Sequence, residues 1–506
     1  MNLAIYEPER GNSLSNSTCK QARLARDARF DGLFFTGVTT TGIYCRPVCP
    51  ATPPKEKNVH YYPSALAAAQ AGLRPCLRCR PESAPGSPAW KGARTSLDRA
   101  LRLIDAGEWQ GQSLPDFARR LGISDRYLRQ LFVRHLGLSP IKYLNFRRVQ
   151  FAQQLLQQTT LPVTDIAFHA GFGSVRRFND VFVNTIGFNP GQVRRQGTMK
   201  VSANTPLTLS LAYRPPYDWM AMRDFYRMRQ IEGMEQVSDN SYGRTFTFKG
   251  ASGAFTAVHW PEKHCFRVSL RLDRPEYTLP VVQQIRRLLD LDADVPVIRE
   301  QLARQPIFRS LLDHGMGEGL RLPGMWSAFE AGVRAVLGQQ VSVKAAHNLV
   351  TQLVRELGED VQLPPDRSAL PSKLFPTPEA VAASSLAFLA IPGRRKQALR
   401  DLAKQVADTE DTTETEVELN YDHWQTINGI GPWTTQYTAF RMGNPDIFLA
   451  GDLGVKNALK KLDPSRRGCE ISAEELSPWG SYATLLLWQS LSDATPCSPT
   501  NPTIKE

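Results

Sequence analysis

No run of about 18 consecutive apolar residues occurs in the 506-residue chain, so no membrane-spanning helix is expected. The opening residues, MNLAIYEPERGNS, lack the basic-then-apolar order of a secretory leader. Cysteine is sparse, with eight in the whole chain. That is too few for a disulfide framework at this length, so clustered cysteines point to metal or redox chemistry. These absences predict a cytoplasmic protein with no membrane partner. Disorder is excluded by a composition of 42% hydrophobic and 22% charged residues. At about 100–200 residues per domain, the length predicts roughly three to five domains.

The charge that is present is unevenly placed. Residues 1–200 hold 28 Lys and Arg against 13 Asp and Glu, a net +15, whereas residues 201–506 net −3. A basic front half suits a polyanion, with nucleic acid the leading candidate.

Pro/Gly/Ser-rich stretches divide the chain. PESAPGSPAWKG (81–92) and QGTMKVSANTP (196–206) read as linkers. QLPPDRSALPSKLFPTP (362–378) reads as a proline-rich loop, DTEDTTETEVE (408–418) as an acidic solvated loop, and SDATPCSPTNPTIKE as a frayed tail. Between the two linkers, apolar residues recur three and four apart, as in LDRALRLIDAG and YLRQLFVRHLG. Residues 207–270 mix alternating runs (LTLSLAY, RTFTFKG, FRVSLRL) with a helical WMAMRDFYRMR, which predicts a small α/β domain. Beyond about residue 280 the pattern is mainly helical.

Cys45 and Cys49 form Cys-x3-Cys, and Cys76 and Cys79 form Cys-x2-Cys. Two close pairs separated by a loop suit one zinc ion held by four thiolates, although paired buried or redox-active thiols share this spacing. Cys19, Cys265, Cys469 and Cys497 have no close partner in sequence and are taken as ordinary. The stretches DGLFFTGVTTTGIYCRPVCPA and NVHYYPSALAAAQAGLRPCLRCRP closely resemble the N-terminal zinc domain of the Ada DNA methylation-repair regulators. That resemblance implies four zinc-bound thiolates. It also implies irreversible transfer of a methyl group from a DNA methylphosphotriester to Cys45. Arg46, Arg74 and Arg78 lie beside the cysteines and are expected to bind neighbouring phosphates, and Thr41 matches a position near the DNA backbone.

SLPDFARRLGISDRYLRQLFVRHLG reads as helix, glycine turn, helix, with Ala118 allowing close approach, Gly122 at the turn and a second helix from about Ser124. PVTDIAFHAGFGSVRRFNDVFVNTIGFNP repeats the pattern, with Ala167, Gly171 and a capping Ser174. Two such units joined by a helix near 140–157 resemble the AraC-family DNA-binding domain. Arg126, Arg129, Arg176 and Arg177 are the expected DNA contacts.

Further on, NGIGPWTTQYTAF (428–440) contains a Gly-Ile-Gly turn, in which Gly429 and Gly431 are expected to permit a tight hairpin. Amides at the start of the following helix can hold a phosphate. The string resembles the helix-hairpin-helix of base-excision DNA glycosylases, and the resemblance places a catalytic aspartate at Asp452. By position alone Asp452 reads rather as a helix cap, and the joint pattern of motifs reverses that reading. LRLPGMWSAFEAGVRAVLGQQVSVKAA (320–346), SPWGSYATLLLW (477–488) and YRPPYDW (213–219) extend the likeness to AlkA-type 3-methyladenine DNA glycosylases. It implies pocket aromatics at Trp433, Tyr437 and Trp488 and a monovalent cation on the hairpin carbonyls. Trp433 stands where strand-cleaving relatives have a Schiff-base lysine, so base removal without strand cleavage is expected. In two places the chain departs from the family: Leu453 replaces a pocket tyrosine, and Gln340 aligns with an intercalating leucine. No Pro-Cys-His-Arg alkylguanine-transferase motif and no iron–sulfur cysteine cluster occurs.

The expected fold is therefore multidomain and mainly α. It comprises a zinc-bound α/β domain (1–86), an AraC-type double helix-turn-helix (91–198), an AlkA-type N-terminal α/β domain (207–295) and a helix-hairpin-helix glycosylase domain (296–495). Expected partners are double-stranded DNA, alkylated and promoter, and RNA polymerase, with the chain a monomer. The rival expectation is a transcription factor whose glycosylase half only binds DNA.

Overall fold

The computed structural model describes residues 15–26, 30–31, 33–79, 81, 93–195, 207–361, 371–410, 421–462 and 471–492. Both expected linkers fall almost wholly outside these residues, as do most of the acidic run, the tail, Cys469 and Cys497. Among the described residues no helix is long and apolar enough to cross a membrane. The chain forms two compact units, 1–102 with 113–140, and 103–112 with 141–506. This division cuts across the expected 91–198 segment.

In the first unit, β1 (Phe35–Val38), β2 (Ile43–Cys45), β3 (Val59–Tyr62) and β4 (Arg74–Pro75) form a sheet in the order β3-β1-β2-β4. β4 runs parallel to β2, pairing Tyr44 with Pro75. One cysteine pair begins at the last residue of β2 and the other directly follows β4. The cores here are small: Phe35, Tyr44 and Ala68 in one cluster, Cys19, Ala22 and Phe34 in another. The unit also holds the first helix-turn-helix, Leu114–Arg120 and Asp125–Leu136, each helix capped by a serine, Ser113 and Ser124. Buried Ala118 lets the two helices approach.

In the second unit, the long helix Pro140–Gln158 leads into the second helix-turn-helix, Val163–His169 and Val175–Ile186. Gly171 turns between them at φ +80°, and Ser174 caps the second helix. A five-stranded antiparallel sheet follows: β5 (Leu207–Ala212), β6 (Glu235–Val237), β7 (Ser241–Phe248), β8 (Ala251–Trp260) and β9 (Cys265–Leu272), in the order β5-β9-β8-β7-β6.

β5 is an edge strand, and an edge leaves backbone groups unpaired. The long helix covers it. Gln154 Nε2 donates to the Ser210 carbonyl at 3.2 Å, and the Ser210 N–H donates to Gln158 Oε1 at 2.8 Å. Two glutamines one turn apart thus take the place of a neighbouring strand. His169 Nδ1 lies 2.7 Å from Thr278 Oγ1, whose hydroxyl donates to the Pro275 carbonyl, so the imidazole nitrogen is the donor. One continuous core joins Val149, Leu155, Phe178 and Phe182 to Leu209, Phe255, Val268 and Trp326. The second helix-turn-helix and the α/β sheet therefore share an interior.

The helical remainder packs around Ala328–Gly338, a helix buried on nearly all sides. Two buried carboxylates and two buried guanidinium groups tie this helix to the sheet. Arg244 Nη2 meets Glu330 at 2.7 Å, and Arg334 Nη2 meets Glu330 at 2.7 Å and Glu235 at 3.0 Å. Buried charges of this kind persist only when mutually paired. The helix ends directly before Gln339 and Gln340, at the wall of the cleft described next.

Candidate functional site

The first site is built from turns. Cys45 ends β2, and the Cys49 amide closes the following turn onto the Arg46 carbonyl at 3.1 Å. The Cys76 amide donates to the Tyr44 carbonyl at 3.0 Å, which brings the second pair beside the first. The four sulfurs lie within 4.8 Å of one another. Cys45 and Cys49 are half-buried; Cys76 and Cys79 are buried. Hydrogen bonds to Cys49 and Cys79, with burial, push the Cys45 thiol well up, while hydrogen bonds from Cys45 and Cys79 push Cys49 down to about 2. Crowded thiols resist joint ionisation. A divalent cation removes that penalty, so this donor set fits zinc.

Around it, Thr41, Arg74 and Arg78 are exposed. Arg46 is not available as expected. It is buried, pairs with Asp31, with Nε to Oδ1 at 2.8 Å, and donates to the Cys79 carbonyl at 3.1 Å. Its backbone N–H also donates to Cys79 Sγ at 3.4 Å. Arg46 therefore braces the cysteine turns. Asp31 lies too far off in sequence for spacing to reveal the pair.

Arg126 and Arg129 are exposed on Asp125–Leu136, and Arg129 makes a solvent-facing pair with Asp125 at 3.2 Å. An exposed pair of this type stabilises little and leaves the arginine free to exchange partners. Arg176 and Arg177 are exposed in the first turn of Val175–Ile186.

The second site is a cleft of about 1810 Å³. Trp433 and Tyr437 stand four residues apart on the helix Pro432–Arg441, so they share a face, with rings 5.2 Å apart and 17° from parallel. Trp488 enters from Gly480–Ser492. Asp452 lies between the two indoles. Trp433 Nε1 donates to its Oδ2 at 3.0 Å and Trp488 Nε1 to its Oδ1 at 2.9 Å. Oδ1 also accepts the Val455 amide at 3.2 Å, so Asp452 does cap the helix Leu453–Leu462. The capping and site readings of Asp452 are thus compatible. A carboxylate offers about four lone-pair directions, and three are engaged.

Gly429 has φ +97°, which favours glycine, whereas Gly431 is extended, with φ −109° and ψ −179°, and the turn itself does not demand glycine there. Gln340 is exposed at the cleft wall. Its neighbour Gln339 makes the contact with the hairpin, donating to the Gly429 carbonyl at 3.0 Å and to Thr434 at 3.1 Å. Leu453 is 72% exposed and lines the cleft.

Sequence reasoning missed several cleft residues. Phe225 and Arg229 come from the α/β domain, far away in sequence, and Arg441 reaches in from below Tyr437. Gly454 was also missed: a Cβ there would sit 3.0 Å from both Asp452 Oδ1 and the Trp488 ring. A side chain there would crowd that contact, and a glycine beside a capping aspartate gives no signal in sequence.

Comparison with known proteins follows the same division. Residues 18–82 match the metal binding domain of Ada, 117–196 a helix-turn-helix domain, 208–327 the AlkA N-terminal domain, and 333–479 the HhH-GPD superfamily of base excision DNA repair proteins. DNA-3-methyladenine glycosylase 2 of Escherichia coli is 32% identical over 55% of this chain and 96% of its own. The bifunctional transcriptional activator/DNA repair enzyme Ada of Escherichia coli is 32% identical over 35% of this chain and 48% of its own. A Mycobacterium tuberculosis protein described as "Probable bifunctional transcriptional activator/DNA repair enzyme AlkA" is 35% identical over 94% of this chain and 96% of its own. With that match along nearly the full length, and all four domain types in order, the chain belongs to the family of bifunctional transcriptional activator/DNA repair enzymes of the AlkA type.

Proposed function

We propose that the chain excises alkylated bases from DNA and couples a record of DNA methylation to transcription. The observation that carries the first part is Asp452, held by two indole N–H groups in a cleft beside the hairpin. The hairpin and the amides opening Pro432–Arg441 grip a phosphate. The target base leaves the stack and enters the cleft. The Trp433 and Trp488 rings offer electron-rich surface to a cationic alkylated purine. The remaining lone pair of Asp452 faces the sugar, stabilises positive charge there as the N-glycosidic bond breaks, and orients the incoming water. No lysine lines the cleft among the described residues, and Trp433 occupies the position after Gly431-Pro432. Both facts support hydrolysis without a strand-cleaving Schiff base. Gln340 fills the gap left by the base, and free hairpin carbonyls would hold a monovalent cation.

The cysteine cluster supports a second chemistry. A bound zinc would keep the Cys45 sulfur deprotonated. That sulfur attacks the methyl carbon of a methylphosphotriester. The S–C bond forms, the C–O bond breaks, and the phosphodiester departs with the electron pair. Exposed Thr41, Arg74 and Arg78 contact the flanking backbone. Methylation converts an anionic sulfur into a neutral thioether. At an effective dielectric near 20, one charge about 8 Å from a phosphate is worth roughly 2 kcal/mol before salt screening, so promoter affinity rises. Arg126, Arg129, Arg176 and Arg177 bind the promoter, and the chain, as a monomer, recruits RNA polymerase.

The test is formation of abasic sites in methylated duplex DNA by the full-length protein. Abasic sites without strand breaks are expected. No abasic sites would favour a glycosylase half that only binds DNA, and strand breaks without added base or heat would contradict the hydrolytic reading.

A further inference from the structure

The floor of the cleft has an unusual electrostatic arrangement. Arg441 is buried, and its Nε and Nη2 donate to the Pro323 carbonyl at 2.8 Å and the Gly324 carbonyl at 3.1 Å. Its Nη1 donates to the Tyr437 hydroxyl at 3.0 Å. Arg229 lies with its guanidinium carbon 3.8 Å from the centre of the Phe225 ring and donates to the Phe225 carbonyl at 3.2 Å, and its charge acts on Tyr437. Neither guanidinium has a carboxylate partner among the described residues.

Tyr437 is confined by this setting. Trp433, four residues before it, and Phe440, three residues after it, lie 5.2 and 6.4 Å from its ring, each roughly parallel to it. Tyr437 and Arg441 both line the cleft, so the hydroxyl they share lies at its wall. The hydroxyl oxygen accepts from Arg441, so what it has left to give is its proton. Among the described residues no acceptor takes that proton. Burial raises the hydroxyl, but Arg441 and Arg229 outweigh it and hold it below the ordinary tyrosine range, which strengthens it as a donor.

We propose that Tyr437 is a specificity-determining residue whose hydroxyl donates a hydrogen bond to a carbonyl oxygen of the flipped base. An alkylated oxopurine such as 7-methylguanine gains this contact. An alkylated aminopurine such as 3-methyladenine presents an amino group at the same ring position and meets donor with donor. Arg441 is the positioning residue, fixing the tyrosine oxygen from behind. The inference rests on the glycosylase reading and adds to it the feature of the base that is recognised.

The experiment is release of both bases from one sample of methylated DNA by full-length wild type and Tyr437→Phe. Phenylalanine keeps the ring stack and removes only the hydroxyl. The ratio of 7-methylguanine to 3-methyladenine release is expected to fall about tenfold, whatever the change in the absolute rates. A melting curve beside that of wild type shows that the variant is folded. An unchanged ratio overturns the proposal, whether both rates persist or both fall together. Release of neither base by the wild type would overturn the glycosylase reading itself, a result distinct from an unchanged ratio.

Discussion

Trp488 Nε1 donates to Asp452 Oδ1 at 2.9 Å, tying the carboxylate to a helix 36 residues further along the chain. Since the same oxygen caps the helix Leu453–Leu462, one bond orients the acid and fixes the end of that helix. Trp488→Phe keeps the aromatic surface and removes the N–H. Base excision is expected to fall about tenfold with little loss of stability, because positioning groups act through the residue they hold. Single-turnover excision read beside a melting curve checks this. A large drop in melting temperature with unchanged excision per folded molecule would assign the bond to structure alone.

The zinc prediction follows from the small front cores. With clusters of only three buried residues each, the sheet β3-β1-β2-β4 depends on its metal crosslink. Metal analysis is expected to give one zinc per chain. Chelation should raise hydrogen exchange across residues 33–79 while exchange in 207–361 stays low. Unchanged protection of the front sheet after zinc removal would contradict the four-thiolate assignment.

The covered edge of β5 makes a stability prediction. Gln154→Ala with Gln158→Ala leaves the Ser210 N–H and C=O without these partners. At about 1 kcal/mol per lost hydrogen bond, roughly 2 kcal/mol of stability is at stake. Urea unfolding of the double variant should show that loss, with base excision of the folded protein retained. Stability equal to wild type would show that the helix merely lies near the strand.

Asp290 gives a pH dependence. It keeps part of its surface exposed, yet burial of its carboxyl raises it to about 7, against the lowering effect of the Leu322 amide, Tyr482 and Arg321 and with a small push from Asp292. The folded state therefore binds this proton more tightly than the unfolded chain. The stability it contributes is present below about pH 4 and is lost as pH rises to about 7. His169 and His259 are lowered by burial and act in the opposite sense at acid pH, so the comparison must be with a variant. Asp290→Asn tolerates the φ of +51° and cannot titrate. Its melting temperature should fall less than that of wild type between pH 5 and 7.5. Parallel curves would remove Asp290 as the source.

Much of this arrangement is legible in the sequence because it is local. Cys-x3-Cys and Cys-x2-Cys announce a donor set, serines and glycines mark both helix-turn-helix units, and Trp433 and Tyr437 share a face by their spacing. What was hidden depends on pairing across the chain. Arg46 looks like any basic residue until Asp31 closes on it. Gln154 and Gln158 look like a solvated helix face until an edge strand lies beside them. Phe225 and Arg229 reach the cleft from a different domain, which no spacing rule can show.

The most direct test of the account is base release by Asp452→Asn. Asparagine keeps the size, can still accept the Val455 amide and loses the charge. Release of 3-methyladenine and 7-methylguanine from methylated DNA should fall by about a hundredfold or more, with lesion-DNA binding retained and the melting temperature close to wild type. Near-wild-type release by the folded variant would eliminate Asp452 as the carboxylate that drives base excision.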